Sequence, residues 1–441
     1  MSNQKNHHMD SDKVLGEAES VINNSQIKTV KNKVSSNNNY IHDDLAFYIL
    51  SKLPIKSLKR FGCVRKSWSI LFQNSHFNTM FRNNFISNTY DDDDDDSHHT
   101  FLLMHPDDDR IFENQLLLLP PDHTFQNTLK LNLPPTFQLD KPPCLAILGS
   151  TSVNGILCLM DYCPGGDLNK VRFVLWNPAT HEFVVVPPSP DESGLPHPFG
   201  LSTRYNFHGF GYDKVTDDFK VIQYVSFDWD LRYENDNGIY RDPLFEIYSL
   251  TNNSWRILDI HMPDCLDFHY TSLIPTVYLD GMCHLLLQSG SERFEMVVFS
   301  FDLSHEVTFM TPFDQNFDDA LYITHDFSIF KRRHLMVLNG SIALISDNNS
   351  DTTLQISILG QLGVKESWIK LFIIDPIPSY RWNLIGVGKK GYIFYRKKDG
   401  ELAWLDLSTQ IVEEIGFKGE ENTCDIGIYK ESLLSIRGLN N

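Results

Sequence analysis

Six consecutive aspartates, Asp91 to Asp96, followed by His98 and His99, are the densest run of potential metal ligands in the chain. A calcium loop needs alternating oxygen ligands and a glycine at its sharp turn, and neither is present. Adjacent like charges repel, so the run reads as an extended, solvated segment. Asp107 to Asp109 reads the same way, as a charged hairpin tip. Asp217 and Asp218 are neighbours, and neighbouring strand positions point to opposite faces, which does not suit shared acid–base work. His284 follows the turn glycine Gly281 and alternates with apolar residues, the pattern of a satisfied core histidine. Gly209-Phe210-Gly211 lacks the third glycine and following helix of a dinucleotide loop, and reads as a β turn. There is no G-x-S-x-G nucleophile elbow. Cys158 and Cys163 are the closest pair of seven cysteines, with no second pair at zinc spacing. These residues make no catalytic set and imply neither cofactor nor metal; the expectation is binding, not an enzyme.

The elements that carry them belong to a chain of 441 residues, long enough for one large domain and a small one. A net charge of −19 argues against sequence-independent binding to nucleic acid or anionic membrane. Lys331-Arg332-Arg333-His334 is the one compact basic cluster and reads as a solvated turn. The odd, scattered cysteines fit a reducing compartment, cytoplasmic and/or nuclear. No stretch approaches the roughly twenty apolar residues of a membrane span, and the first ten residues carry no apolar leader.

Residues 1–39 are rich in Asn, Ser and Lys without apolar period, the composition of a disordered leader. Residues 41–72 then change texture. Leu45, Ile49 and Leu53 recur at steps of four beside Ala46 and Leu50, which predicts a short helix with one apolar face. Asp43 and Asp44 sit in its first turn and Pro54 stops it. Ser57 opens a second helix with Leu58, Phe61 and Val64 at steps of three, and Trp68, Leu71 and Phe72 carry the pattern into a third. A unit this small has more apolar surface than its interior can hold, so the surplus belongs to an interface. Residues 75–85 read as a helical extension.

From Phe101 onward short apolar runs alternate with Gly, Asn, Asp and Pro, the signature of an all-β domain. One recurring unit is a turn feeding a strand, at Asn154-Gly155, Asp280-Gly281, Asn339-Gly340 and Lys390-Gly391. The other is strand, polar turn, strand, at 173–186, 245–258, 297–310, 355–372 and 402–415. Gly281, Gly340 and Gly391 are separated by 59 and 51 residues, the repeat length of kelch-type propeller blades. Residues 101–119 supply half of a further unit, and 425–436 closes the ring beside it.

Ile49-Leu50-Ser51-Lys52-Leu53-Pro54, Ser57-Leu58-Lys59-Arg60-Phe61 and Cys63-Val64-Arg65-Lys66-Ser67-Trp68 resemble, in that order, the motifs of an F-box, with His42 standing where the family has a proline. WNPATHEF, GFGYDKVTDDFKVI, IYSLTNNSW, VYLDGMCHLLL and VVFSFDLSHEV resemble the plant F-box-associated domain. The resemblance implies an α+β multidomain chain, with a leader (1–39), an all-α F-box of three short helices (40–86), an acidic linker (87–100) and a kelch-type, β-propeller-like domain of about six blades (101–437). It implies a substrate receptor of an SCF-type ubiquitin ligase that docks a Skp-type adaptor, and through it cullin and a RING subunit, while the β domain holds a target protein. The adaptor face would be Leu45, Ile49, Leu50, Leu53, Pro54, Leu58, Val64 and Trp68. Target contacts would come from the long connections 188–203, 228–241 and 312–326. The alternative is a propeller scaffold or ligand-binding protein acting apart from ubiquitin transfer; a kelch-type oxidase or glycosidase is a third reading.

Overall fold

The computed structural model describes residues 43–53, helical positions at Ser57, Phe61, Val64, Trp68, Phe77, Met80 and Phe81, and residues 99–436 apart from the connections 108–109, 121–124, 126–127, 138–144, 162–170, 190–200, 230–241, 261–265, 268–275, 290–294, 314–332, 348–352, 375–376, 378–379, 389–390 and 420–423. The chain divides into two compact units, Met1–Asn84 and Phe85–Asn441. In the first, the described residues include one continuous helix, α1 (Asp43–Leu50). The second is built from strands.

Those strands follow the apolar runs of the sequence and pair with their chain neighbours in antiparallel sets. β1 (His99–Asp107), β2 (Arg110–Leu119) and β3 (Leu129–Leu131) begin the first set. The second is β4 (Leu145–Val153), β5 (Ile156–Asp161), β6 (Arg172–Asn177) and β7 (Glu182–Val185). The third is β8 (Leu201–Asp213), β9 (Asp218–Trp229), β10 (Leu244–Ser249) and β11 (Ser254–Leu258). After the two-residue β12 (Leu266–Asp267), the fourth is β13 (Val277–Leu279), β14 (Met282–Ser289), β15 (Glu295–Asp302) and β16 (Thr308–Pro312). The fifth is β17 (Arg333–Leu338), β18 (Ser341–Asp347), β19 (Leu354–Leu359) and β20 (Trp368–Ile374). The sixth is β21 (Tyr380–Val387), β22 (Tyr392–Lys397), β23 (Glu401–Asp406) and β24 (Val412–Lys418). Finally β25 (Asp425–Lys430) returns to β1, with His99 opposite Lys430, and completes the first set.

Turn chemistry explains the repeat. Asn154-Gly155, Asp280-Gly281 and Asn339-Gly340 have positive φ at both residues, the geometry that matches the right-handed twist of flanking strands. At the later turn of a set, Asn177, Asp302 and Asp406 accept the N–H two residues on, at 3.0, 2.8 and 2.7 Å. The third set departs from the sequence expectation. Gly209 and Gly211 are not a turn but lie within β8, paired to β9, and glycine is required there because a Cβ would strike Cys283 and Tyr278 of the fourth set. The turn itself is the glycine-free stretch from Asp213 to Asp218.

The cores lie between sets. Leu102, Met104, Leu157 and Val174 join the first to the second. Phe173, Leu175, Phe210 and Phe219 join the second to the third. Phe207, Phe245, Phe299 and Phe301 join the third to the fourth, and Val298, Leu344 and Trp368 the fourth to the fifth. Phe101, Phe394, Trp404 and Ile426 pack the sixth against the first. There β21 meets β25 in parallel, with Gly386 opposite Ile426. A Cβ on Gly386 would stand 1.9 Å from the Ile426 carbonyl, so only glycine permits that approach.

Candidate functional site

Helix α1 presents two faces. Ala46 and Leu50, four apart, are buried, while Leu45 is 42% exposed and Tyr48 is exposed beside it at a step of three. The helix ends as its backbone tightens: Ser51 N–H still reaches Phe47 O at 2.9 Å, but Leu53 N–H turns back to Leu50 O at 3.2 Å, just before Pro54. Ser51 is sealed in and donates its hydroxyl to Tyr48 O at 2.9 Å. The Lys52 ammonium lies 4.3 Å from the Tyr48 ring centre. Inside the unit, Phe47 meets Phe77 edge-on at 5.7 Å and Phe77 stacks on Phe81.

Of the expected adaptor face, Leu45 is exposed, Val64 is 72% exposed, and Ile49, Leu53 and Trp68 are half-buried. Leu50 turns inward at 3% exposure. Trp68 meets Phe61 at 6.2 Å. Pro54 and Leu58 lie outside the described residues. Sequence reasoning did not single out Tyr48, which is exposed at a step of three from Leu45, or Phe77, which is fully buried.

The connections 188–203, 228–241 and 312–326 lie largely outside the described residues, but the strands that hold their ends are described. Leu201 pairs with Trp229, so the first two arise side by side. At the other end of these strands the tight turns of the third and fourth sets are bonded together. Lys220 Nζ donates to Leu303 O at 3.0 Å, Ser304 donates to Asp213, and Lys214 lies 3.7 Å from Asp280. Pro312, at the far end of β16 from those turns, therefore leaves at the same end as Leu201 and Trp229. The three long connections share one end of the strands, and the tight turns of the third and fourth sets that are bonded together share the other. His99, where the chain enters the first set, lies at the tight-turn end, opposite Lys430, whose carbonyl stands beside Gly155.

Among the described residues weighed for chemistry, His284, Asp218 and three of the cysteines are buried. His284 is buried and shares a 2.7 Å hydrogen bond with Ser300, its partner across the β14–β15 ladder. Asp217 sits in an exposed turn with left-handed φ, whereas buried Asp218 accepts Ser249 Oγ at 2.6 Å and Thr251 N–H at 2.9 Å. Cys158, Cys283 and Cys424 are buried thiols. Burial pushes Cys158 well up and Cys283 to about 12, so both stay protonated and poorly nucleophilic at neutral pH. Asp91 to Asp96, His98 and Cys163 lie outside the described residues.

Four-stranded antiparallel sets packed face to face in chain order, with the last strand completing the first set, define a β-propeller-type domain. The profile of the F-box associated beta propeller domain family matches residues 121–436. The F-box protein CPR1 of Arabidopsis thaliana is 25% identical over 306 residues, covering 66% of this chain and 69% of that protein. The F-box protein At1g30790 of Arabidopsis thaliana is 24% identical over 441 residues, covering 91% of this chain and 98% of that protein. The chain belongs to the plant F-box proteins that carry the F-box associated beta propeller domain.

Proposed function

We propose that the chain is the substrate-recognition subunit of an SCF-type ubiquitin ligase. On this reading each four-stranded set is one blade of a six-bladed, kelch-like propeller. The leading helical unit docks a Skp-type adaptor, which connects to cullin and the RING subunit, and the propeller grips a target protein. No bond is made or broken by this chain; it raises the effective concentration of target lysines near the charged ubiquitin conjugate.

The observation that carries the reading is the outward apolar row on the F-box stretch, Leu45 and Tyr48 on α1 with Val64 beyond it, in a chain of this family. Each large apolar side chain buried on docking contributes about 1.5–3 kcal/mol. Target contacts are assigned to the end of the strands that carries 188–203, 228–241 and 312–326, because loops on a rigid scaffold vary without disturbing it.

The test is co-purification of a Skp-type adaptor with the full chain and with Leu53→Ala/Pro54→Ala. Loss of the adaptor, with the near-ultraviolet signal of the β domain unchanged, is the expected result. Undiminished adaptor binding would overturn the assigned face. Binding of no adaptor by the parent chain would favour a scaffold or ligand-binding role independent of ubiquitin transfer.

A further inference from the structure

In the third set the turn after the innermost strand does more than reverse the chain: it fastens that set to the next. The Tyr212 carbonyl accepts the Tyr278 hydroxyl at 2.8 Å, Lys214 faces Asp280, and Asp213 accepts from Ser304. The innermost strand of the first set, β25, is not followed in the chain by β1. The place of that turn is taken by residues 431–436.

This segment makes the same kind of contacts to the second set. Asn177 Nδ2 donates to Ser432 O at 2.9 Å and to Leu434 O at 2.8 Å, while its Oδ1 accepts Ala179 N–H. Glu182 accepts Ile436 N–H at 2.8 Å and the Ser435 hydroxyl at 3.2 Å. Lys430 N–H donates to Ser152 Oγ at 3.1 Å. Ile436 is fully buried among Val153, Ile156, Phe173 and Val221. Gly155, at φ +82°, leaves the space that Ser432 fills; a Cβ there would lie 2.3 Å from Ser432 Cβ.

The position of Asn177 shows what the segment demands. Its counterparts in the fourth and sixth sets, Asp302 and Asp406, cap their turns as carboxylates. In the second set the same cap must also donate twice, and an amide does both where a carboxylate only accepts. We propose that residues 431–436 are a clasp: a second closure of the ring, which locks the β25–β1 seam by anchoring it to the second set.

The test is hydrogen exchange on the full-length protein. Asn177→Asp keeps the turn cap, as Asp302 shows, but removes both donors; Ile436→Ser empties the core anchor. Each should speed exchange at Asp425–Lys430 and His99–Met104 by about tenfold or more, while Met282–Ser289 in the fourth set keeps its protection. Leu433→Ser, at an 86% exposed position of the same segment, should change nothing. If Ile436→Ser does not yield folded protein, Asn177→Asp decides alone. Unchanged exchange at the seam, or a rise shared equally by the fourth set, would overturn the clasp.

Discussion

Lys220 Nζ lies 2.6 Å from Asp213 Oδ2, with both side chains almost wholly withdrawn from water, and the same ammonium donates to Leu303 O of the next set. Burial by itself would raise the Asp213 carboxyl. The Lys220 ammonium, the Ser304 and Thr216 hydroxyls and the Val215 N–H outweigh it and hold the group well below the usual carboxylate range. The pair thus joins two sets by a link that depends on full satisfaction of a buried charge.

Removing one partner leaves the other charge stranded, so Lys220→Met is expected to cost about 3–5 kcal/mol. Asp213→Asn with Lys220→Met should cost less than the sum of the two single changes, because the stranded charge is gone. Urea unfolding of the three variants checks this; strict additivity would contradict it.

Gly155 and Gly340 occupy the same place in their sets, both with left-handed φ, yet only Gly155 faces a neighbour within 4 Å. Gly340→Ala should cost about 1 kcal/mol, the backbone penalty alone. Gly155→Ala must also displace Ser432 and should lower the melting temperature by several degrees more. Equal shifts would show that Ser432 does not press on this turn.

His208, buried on β8 with its ring 5.4 Å from Phe173, is pushed by burial from near 6.5 down to about 3. The unfolded chain therefore takes up a proton in that window that the folded chain refuses. The contribution is fully present above pH 6.5 and is lost as pH falls, with a limiting slope of about 1.4 kcal/mol per pH unit. Subtracting the His208→Gln profile from that of the parent chain should leave this slope between pH 6.5 and 4.5; Asp425, whose carboxyl burial raises to about 7, contributes with the opposite sign to both and cancels. The upper part of the window isolates it from Asp213, whose contribution is lost only at lower pH.

If α1 docks the adaptor as proposed, its two faces should separate docking from folding. Leu45→Glu, at an exposed position, should abolish adaptor capture while leaving the helical content unchanged. Leu50→Ala, inside the unit, should destabilise it by about 2–5 kcal/mol. Circular dichroism beside the pull-down reads the two effects apart; helix loss in Leu45→Glu would contradict the assignment.

The strand repeat was legible because turn residues and apolar runs act locally. Asn154-Gly155, Asp280-Gly281 and Asn339-Gly340 form the hairpins their types predict, and each strand–turn–strand unit from 173–186 to 402–415 is a real pair. Gly209 and Gly211 were misread because their requirement is tertiary: Cys283 and Tyr278 arrive from about seventy residues away. The inward turn of Leu50 was hidden for a related reason. An apolar helix stripe reports that something covers it, not whether the cover belongs to the same unit or to another protein. The reach of residues 431–436 to Asn177 left no periodic trace at all.

The boundaries between neighbouring sets are fastened by more than one kind of chemistry. Trp255 Nε1 donates to Pro187 O at 2.7 Å and Trp368 Nε1 to Pro312 O at 3.1 Å, tying the third set to the second and the fifth to the fourth at their outer strands. The Lys214–Asp280 ion pair and the Lys220 ammonium on Leu303 O join the third and fourth, and backbone pairing the sixth and first. No single stress speaks to all of these: acid dissolves one joint, loss of an indole another. No one insult therefore acts on every joint of the circle, which a ring held by one kind of glue could not claim.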